Sequence, residues 1–187
     1  MYDDKIIWKK DRLLRWGDFK GIPDPSKEQA TAESGVGMDE NHELEYIQTS
    51  YKRKFKFKKF VVEACFVPSK SWVKNDRILE SDHSIILKHE QGHFDICEKY
   101  ARILQERLNA ELLNKSYSIK GKNETEIKKN AEEFADEKVS RIMNEVKKEW
   151  QDEQMQYEHD TENGRKLDIQ KEYDLRFSSL RDQNLDT

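Results

Sequence analysis

The stretch from Ile85 to Leu108 constrains this chain most, because one spacing makes it both an amphipathic helix and a His-Glu-x-x-His motif. At about 100° per residue, with His93 set at zero, Ile86, Cys97, Tyr100, Leu104 and Leu108 fall within about 60° of it. Phe94 and Ala101 extend the arc on one side and Ile96 on the other. Lys88, Gln91, Asp95, Lys99, Arg102 and Glu106 occupy the opposite side. His89, Glu90 and His93 therefore stand in the middle of the face expected to be buried.

Burying two imidazoles and a carboxylate without partners costs several kcal/mol. One metal ion accounts for all three residues. Histidines at i and i+4 stack one turn apart on a helix and can share an ion. The Glu between them can take a proton from a metal-activated water. The plainer alternative is a pair of core histidines satisfied by hydrogen bonds, with Glu90 at the edge.

The flanking residues carry a resemblance. His89-Glu90-Gln91-Gly92-His93-Phe94-Asp95-Ile96, with Glu98 and Ala101-Arg102 beyond, resembles a motif of a bacterial family of uncharacterised proteins described as secreted zinc-dependent proteases. Leu14 to Asp24 resembles the family's opening Leu-x-Trp-x-Asp-Phe-x-Gly-x-Pro, Ser71-Trp72-Val73 its segment before the metal helix, and Tyr157 to Gly164 its later Tyr-Asp-x-x-Thr-x-His-Gly. These marks occur in the same order and span residues 13 to 180. The resemblance implies a secreted or cell-envelope (periplasmic) peptidase whose leader has been removed; if Met1 is native, a cytoplasmic protein is expected instead.

A catalytic zinc usually takes three protein ligands and leaves a place for water. The histidines are His42, His83, His89, His93 and His159. His83 lies about 120° from His89, and Asp95 and Glu98 point about 160° and 140° from His93, so the helix itself offers no third donor. Where the family pattern has histidine, this chain has Asn163. His159, one turn earlier if that segment is helical, is the provisional third ligand, with Asp160 or Glu162 as carboxylate alternatives. Tyr157 is a candidate to stabilise an oxyanion.

A length of 187 residues suits one domain. With 39% charged against 35% hydrophobic residues, the core must be modest and the helices well solvated. A net charge of −4 recommends neither nucleic acid nor an acidic membrane as partner. No apolar run approaches the ~20 residues of a membrane span, and Met1 to Lys5 does not resemble the start of a signal peptide. Cys65 and Cys97 can pair in an oxidising compartment, but Cys97 falls on the buried helix face, which favours free core thiols.

Along the chain, residues 5–24 read as a short strand or two and a Gly/Pro turn, and 25–37 as loop. Glu43 to Thr49 reads as a strand, and Tyr51 to Val67 as the clearest one, its aromatics alternating with lysines. Those lysines read as a solvated strand face rather than a nucleic-acid surface; the strand is also a candidate edge for an extended peptide. Ser81 or Asp82 is expected to cap the metal helix, which should run from 82 to 113. Helical stripes follow at 125–157 (Ile127, Ala131, Phe134, Ala135, Val139, Ile142, Val146, Trp150) and 167–180 (Leu167, Gln170, Tyr173, Phe177, Leu180), with Gly164 as a C-cap.

The expected architecture is α+β, with a small antiparallel sheet, a metal-site helix and a helical C-terminal half to about residue 182. The expected activity is a zinc metallopeptidase acting on a peptide or protein. His89 and His93 hold Zn²⁺ and Glu90 is the general base. Two alternatives stand beside it: a non-catalytic pseudoenzyme whose third ligand is lost at Asn163, and a helical interaction module presenting the charged face of 125–157.

Overall fold

The computed structural model describes residues 4–48 and 53–183. Among the described residues six strands and three α-helices form, in the order β1 (Ile6–Ile7), β2 (Ala32–Glu33), β3 (Val36–Gln48), β4 (Arg53–Phe66), β5 (Trp72–Val73), α1 (His83–Leu112), β6 (Ser116–Ser118), α2 (Glu124–Thr161) and α3 (Leu167–Asp182). The fold is α+β, with a small antiparallel sheet in the N-terminal half and helices after it. In that sheet β4 lies between β3 and β1, and β6 also pairs with β4. The registers set Ile6 opposite Phe66 and Phe55 opposite Tyr117. A second, two-stranded sheet pairs β2 with β5. On the side away from β3, β4 is covered by β6 at Lys54–Lys56 and by β1 at Cys65–Phe66, so those stretches are not a free edge for an added peptide.

The chain, expected to be one domain, divides into two compact units, each discontinuous in sequence. The first comprises 1–39, 63–99 and 150–187; the second comprises 40–62 and 100–149. In the second unit Phe55, Phe57 and Phe60 are buried while Lys58 and Lys59 are exposed. Phe57 stacks on Phe60 at 4.9 Å and Phe55 on Tyr117 at 5.4 Å. Lys56 and Lys58 pair with Glu45 and Glu43 of β3, at 3.2 and 3.7 Å, on the solvent side. The alternation read in the sequence is thus a buried aromatic face and a charge-paired outer face. Ile127, Ala131, Ala135, Val139, Ile142 and Val146 of α2 are buried in this unit.

The first unit carries the motif. Phe94 of α1 meets Phe66, which meets Phe19, which meets Trp16, with centroid separations of 5.1 to 6.0 Å. Trp72 is 4% exposed and anchors the segment before α1 as expected. Cys65 and Cys97 are free thiols, and both donate to the Gly37 carbonyl. Burial pushes the Cys65 thiol up to about 11.

Three local expectations change. Residues 25–37, read as loop, contain β2 and the start of β3, whose small side chains offered no alternation. Helix α1 is entered through a 3-10 turn at Glu80–Asp82, where the Ser81 hydroxyl donates to Asp82 instead of capping. Gln91, Asp95 and Glu98, placed on the solvent side by periodicity, are buried. Asp95 accepts from Trp8 Nε1, from Gln91 Nε2 and from Arg181, while Gln91 Oε1 accepts from the Leu14 amide. The N-terminal segment and α3 cover that side of the helix, and the polar residues bind them to it. Thr49 and Tyr51, taken as strand termini, lie outside the described residues. No described helix is long and apolar enough to cross a membrane.

Candidate metal centre

Helix α1 sets His89 and His93 one turn apart with their Nε2 atoms 3.2 Å from each other. Glu158, in the last two turns of α2, places Oε1 3.1 Å from His93 Nε2 and Oε2 3.5 Å from His89 Nε2. Tetrahedral coordination with zinc–nitrogen and zinc–oxygen bonds near 2.1 Å requires donors about 3.4 Å apart. The two imidazole nitrogens, and His93 Nε2 with Oε1, stand near that spacing, while the carboxylate reaches His89 through its other oxygen. His89, His93 and Glu158 are a group that can hold a metal ion.

The outer nitrogens show how the imidazoles are oriented. His89 Nδ1 lies 3.3 Å from Thr161 Oγ1 and 3.4 Å from Gln170 Oε1. The Thr161 hydroxyl donates to the Tyr157 carbonyl at 2.7 Å, so its oxygen is left to accept. His93 Nδ1 bonds to Gln154 Oε1, whose amide nitrogen donates back to the His93 carbonyl. Acceptors at both Nδ1 positions assign the hydrogens there and leave the Nε2 lone pairs facing each other. Two such lone pairs 3.2 Å apart repel unless a proton or cation lies between them. This hydrogen bonding of the outer nitrogen accompanies metal-bound histidines generally.

Without metal, protons do part of that work. Burial alone lowers the His93 pKa, but Glu158 and Glu90 outweigh it and hold the imidazole above its ordinary value. Burial of Glu158 is likewise outweighed by bonds from both imidazoles, which hold its carboxyl well below the usual range.

Glu90 is 4% exposed, and among the described residues its Oε2 has no hydrogen-bond partner. An orphaned buried acceptor costs about 1–3 kcal/mol, so water or a ligand is its natural partner. Two cavities of the first unit share Glu90 in their walls. One, of about 290 Å³, is lined by residues including Arg77, Ile86, His89 and Arg165. The other, of about 670 Å³, is lined by residues including Gly35, His93, Trp150, Met155 and Glu158. Ala32, Glu90 and Asn163 belong to both walls.

His89, Glu90 and His93 thus stand together as the sequence indicated, whereas the provisional third ligand does not join them. His159 is 82% exposed and faces Asp160; one residue along the helix is about 100° of rotation, which turns it away as it turns Glu158 in. Glu158 escaped notice because α2 was expected to end near Tyr157. The helix instead continues to Thr161, setting Glu158 one turn beyond Gln154.

Tyr157 also takes another role. It is fully buried and its ring stacks on His89 at 4.6 Å. Its hydroxyl donates to the His89 carbonyl at 3.1 Å and accepts from Gln170 Nε2 at 2.9 Å, which leaves nothing for an oxyanion. Asn163 follows the end of α2 in a run of positive φ: Glu162 at 48°, Asn163 at 58° and Gly164 at 81°. The left-handed conformation costs most non-glycine residues about 1–2 kcal/mol and asparagine less, because its short polar side chain can bond locally.

No family model, no curated protein and no solved structure matches this chain.

Proposed function

We propose that this chain is a zinc-dependent hydrolase of peptide or other amide bonds. The observation that carries the reading is the grouping of His89, His93 and Glu158 beside the buried Glu90, whose Oε2 has no hydrogen-bond partner among the described residues. Two histidines and a glutamate are a donor set used by catalytic zinc, and the soft–hard mixture of imidazole and carboxylate suits that ion. Zinc bound there would acidify a water and polarise the substrate carbonyl.

The chain's own residues supply the rest. Gln154, Thr161 and Gln170 hold both imidazoles with Nε2 inward. Glu90 accepts one proton from the attacking water as its oxygen bonds to the carbonyl carbon. Glu90 then delivers that proton to the nitrogen as the carbon–nitrogen bond breaks, giving a carboxylic acid and an amine. The two cavities that share Glu90 accommodate the two parts of the substrate. Kinship with the secreted zinc-protease family, and a location outside the cytoplasm, belong to the same proposal.

The pseudoenzyme alternative rested on the missing donor at Asn163. Glu158 supplies a donor from another position, which weakens the ground for that alternative. The test is zinc stoichiometry together with amide hydrolysis. One zinc per chain, lost in His93→Ala and retained in Glu90→Gln with turnover abolished, is the expected pattern. Full activity in Glu90→Gln would overturn the mechanism; failure to bind zinc at micromolar concentration would overturn the metal site.

A further inference from the structure

Resting on the hydrolase reading, we propose that Asn163 is the residue whose side-chain amide donates a hydrogen bond to the carbonyl oxygen as it gains negative charge. Three observations converge on it. Asn163 belongs to the walls of both cavities that share Glu90, so a substrate spanning them passes it. Its backbone is held in the left-handed region within a run of three such residues, a conformation found at functional sites when the surroundings over-determine it. Those surroundings are present here. Thr161, on one side of the turn, is fully buried with its hydroxyl against His89 Nδ1. Gly164, on the other, lies so close that an added Cβ would meet the His89 Cβ at 3.0 Å. Both flanks of Asn163 are therefore fastened to a candidate ligand.

The amide is chemically suited to the task. It offers two N–H donors and carries no charge, so it does not compete with the oxyanion for the ion. Tyr157, the other candidate, has its hydroxyl committed to His89 and Gln170. The turn fixes the backbone that carries the amide while the side chain itself is exposed to the cavities, and a donor that meets the developing charge with little reorganisation contributes strongly.

The test uses the zinc-loaded full chain and two readouts, turnover of an amide substrate and affinity for a phosphinic dipeptide that mimics the tetrahedral intermediate. Asn163→Ala should lower kcat about 10²-fold, with KM nearly constant, and should weaken the phosphinic ligand by a similar factor. Zinc affinity should stay unchanged. Asn163→Gly keeps the left-handed backbone without the amide, so it should be as impaired as Asn163→Ala. Wild-type behaviour in the glycine variant would reduce Asn163 to a turn residue and overturn the proposal. Loss of zinc in either variant would make position 163 a ligand position and overturn it also. Unaltered phosphinic affinity in Asn163→Ala, or no such affinity in the zinc-loaded wild type, would equally reject it. A wild type that binds one zinc but no phosphinic ligand rejects only this inference, whereas a wild type that binds no zinc removes the hydrolase reading itself.

Discussion

Replacing Gly92 by alanine tests whether the motif's glycine exists to admit Tyr157 beneath the metal site. A Cβ at position 92 would lie 2.2 Å from the Tyr157 hydroxyl oxygen, 2.6 Å from Cζ and 2.9 Å from Phe177 Cε2. The hydroxyl would have to retreat by more than an ångström to reach ordinary contact distance. It cannot do so freely, because it bonds to the His89 carbonyl and to Gln170 while its ring stacks on His89. Overpacking of this kind costs about 1–3 kcal/mol, and disturbing the buried hydrogen bond about 1 kcal/mol more. Against this, alanine gains about 1 kcal/mol over glycine inside a helix. The net expectation is a loss of about 1–3 kcal/mol, read by urea unfolding of the chelator-treated protein. For a chain of this size that corresponds to a melting temperature lower by roughly 2–12 °C. Because His89 moves with Tyr157, zinc affinity should fall about 10–100-fold. Combining the substitution with Tyr157→Leu should relieve the clash, so the pair should cost less than the two single changes added together. A Gly92→Ala protein as stable as wild type, or more so, would mean that helix propensity outweighs the contact and would refute the packing argument.

Glu158→Gln should lower zinc affinity by at least 10-fold, while His159→Ala, at an exposed neighbour, should leave it unchanged; isothermal titration distinguishes the two, and the reverse result would restore His159 as the ligand. Metal-free protein should lose stability as pH rises from about 6.5, because the raised His93 pKa contributes fully below that point and is lost on passing through the folded value. The depressed Glu158 carboxyl contributes above about pH 4.3 and is lost as pH falls through its folded value. Zinc-loaded protein should show the opposite slope between pH 6 and 8, since the ion displaces those protons; thermal melts with and without zinc that share one slope would refute this coupling. Asp95→Ala leaves the Arg181 guanidinium, Trp8 and Gln91 without their common acceptor, and should cost about 3 kcal/mol by chemical denaturation; a change below about 0.5 kcal/mol would show that the network is incidental.

What was legible in the chain was what depends on near neighbours. The 3.6-residue period and the i, i+4 histidines are properties of one helix, so α1 and the stations of His89, Glu90 and His93 followed from spacing alone. The aromatic–lysine alternation of β4, the stripe of α2 and, apart from the exposed Leu167, that of α3 were readable for the same reason. The third donor was not, because it depends on how far α2 continues and on which residue its final turns rotate toward α1. A single residue of helical phase separates Glu158, facing the imidazoles, from His159, facing water. Nor could periodicity foretell that Gln91 and Asp95 are buried, since it places a helix against one neighbour and α1 in the first unit has several. The duty of Tyr157 was likewise assigned by packing: its hydroxyl donates to the His89 carbonyl brought to 3.1 Å from it, and sequence carries no record of that distance.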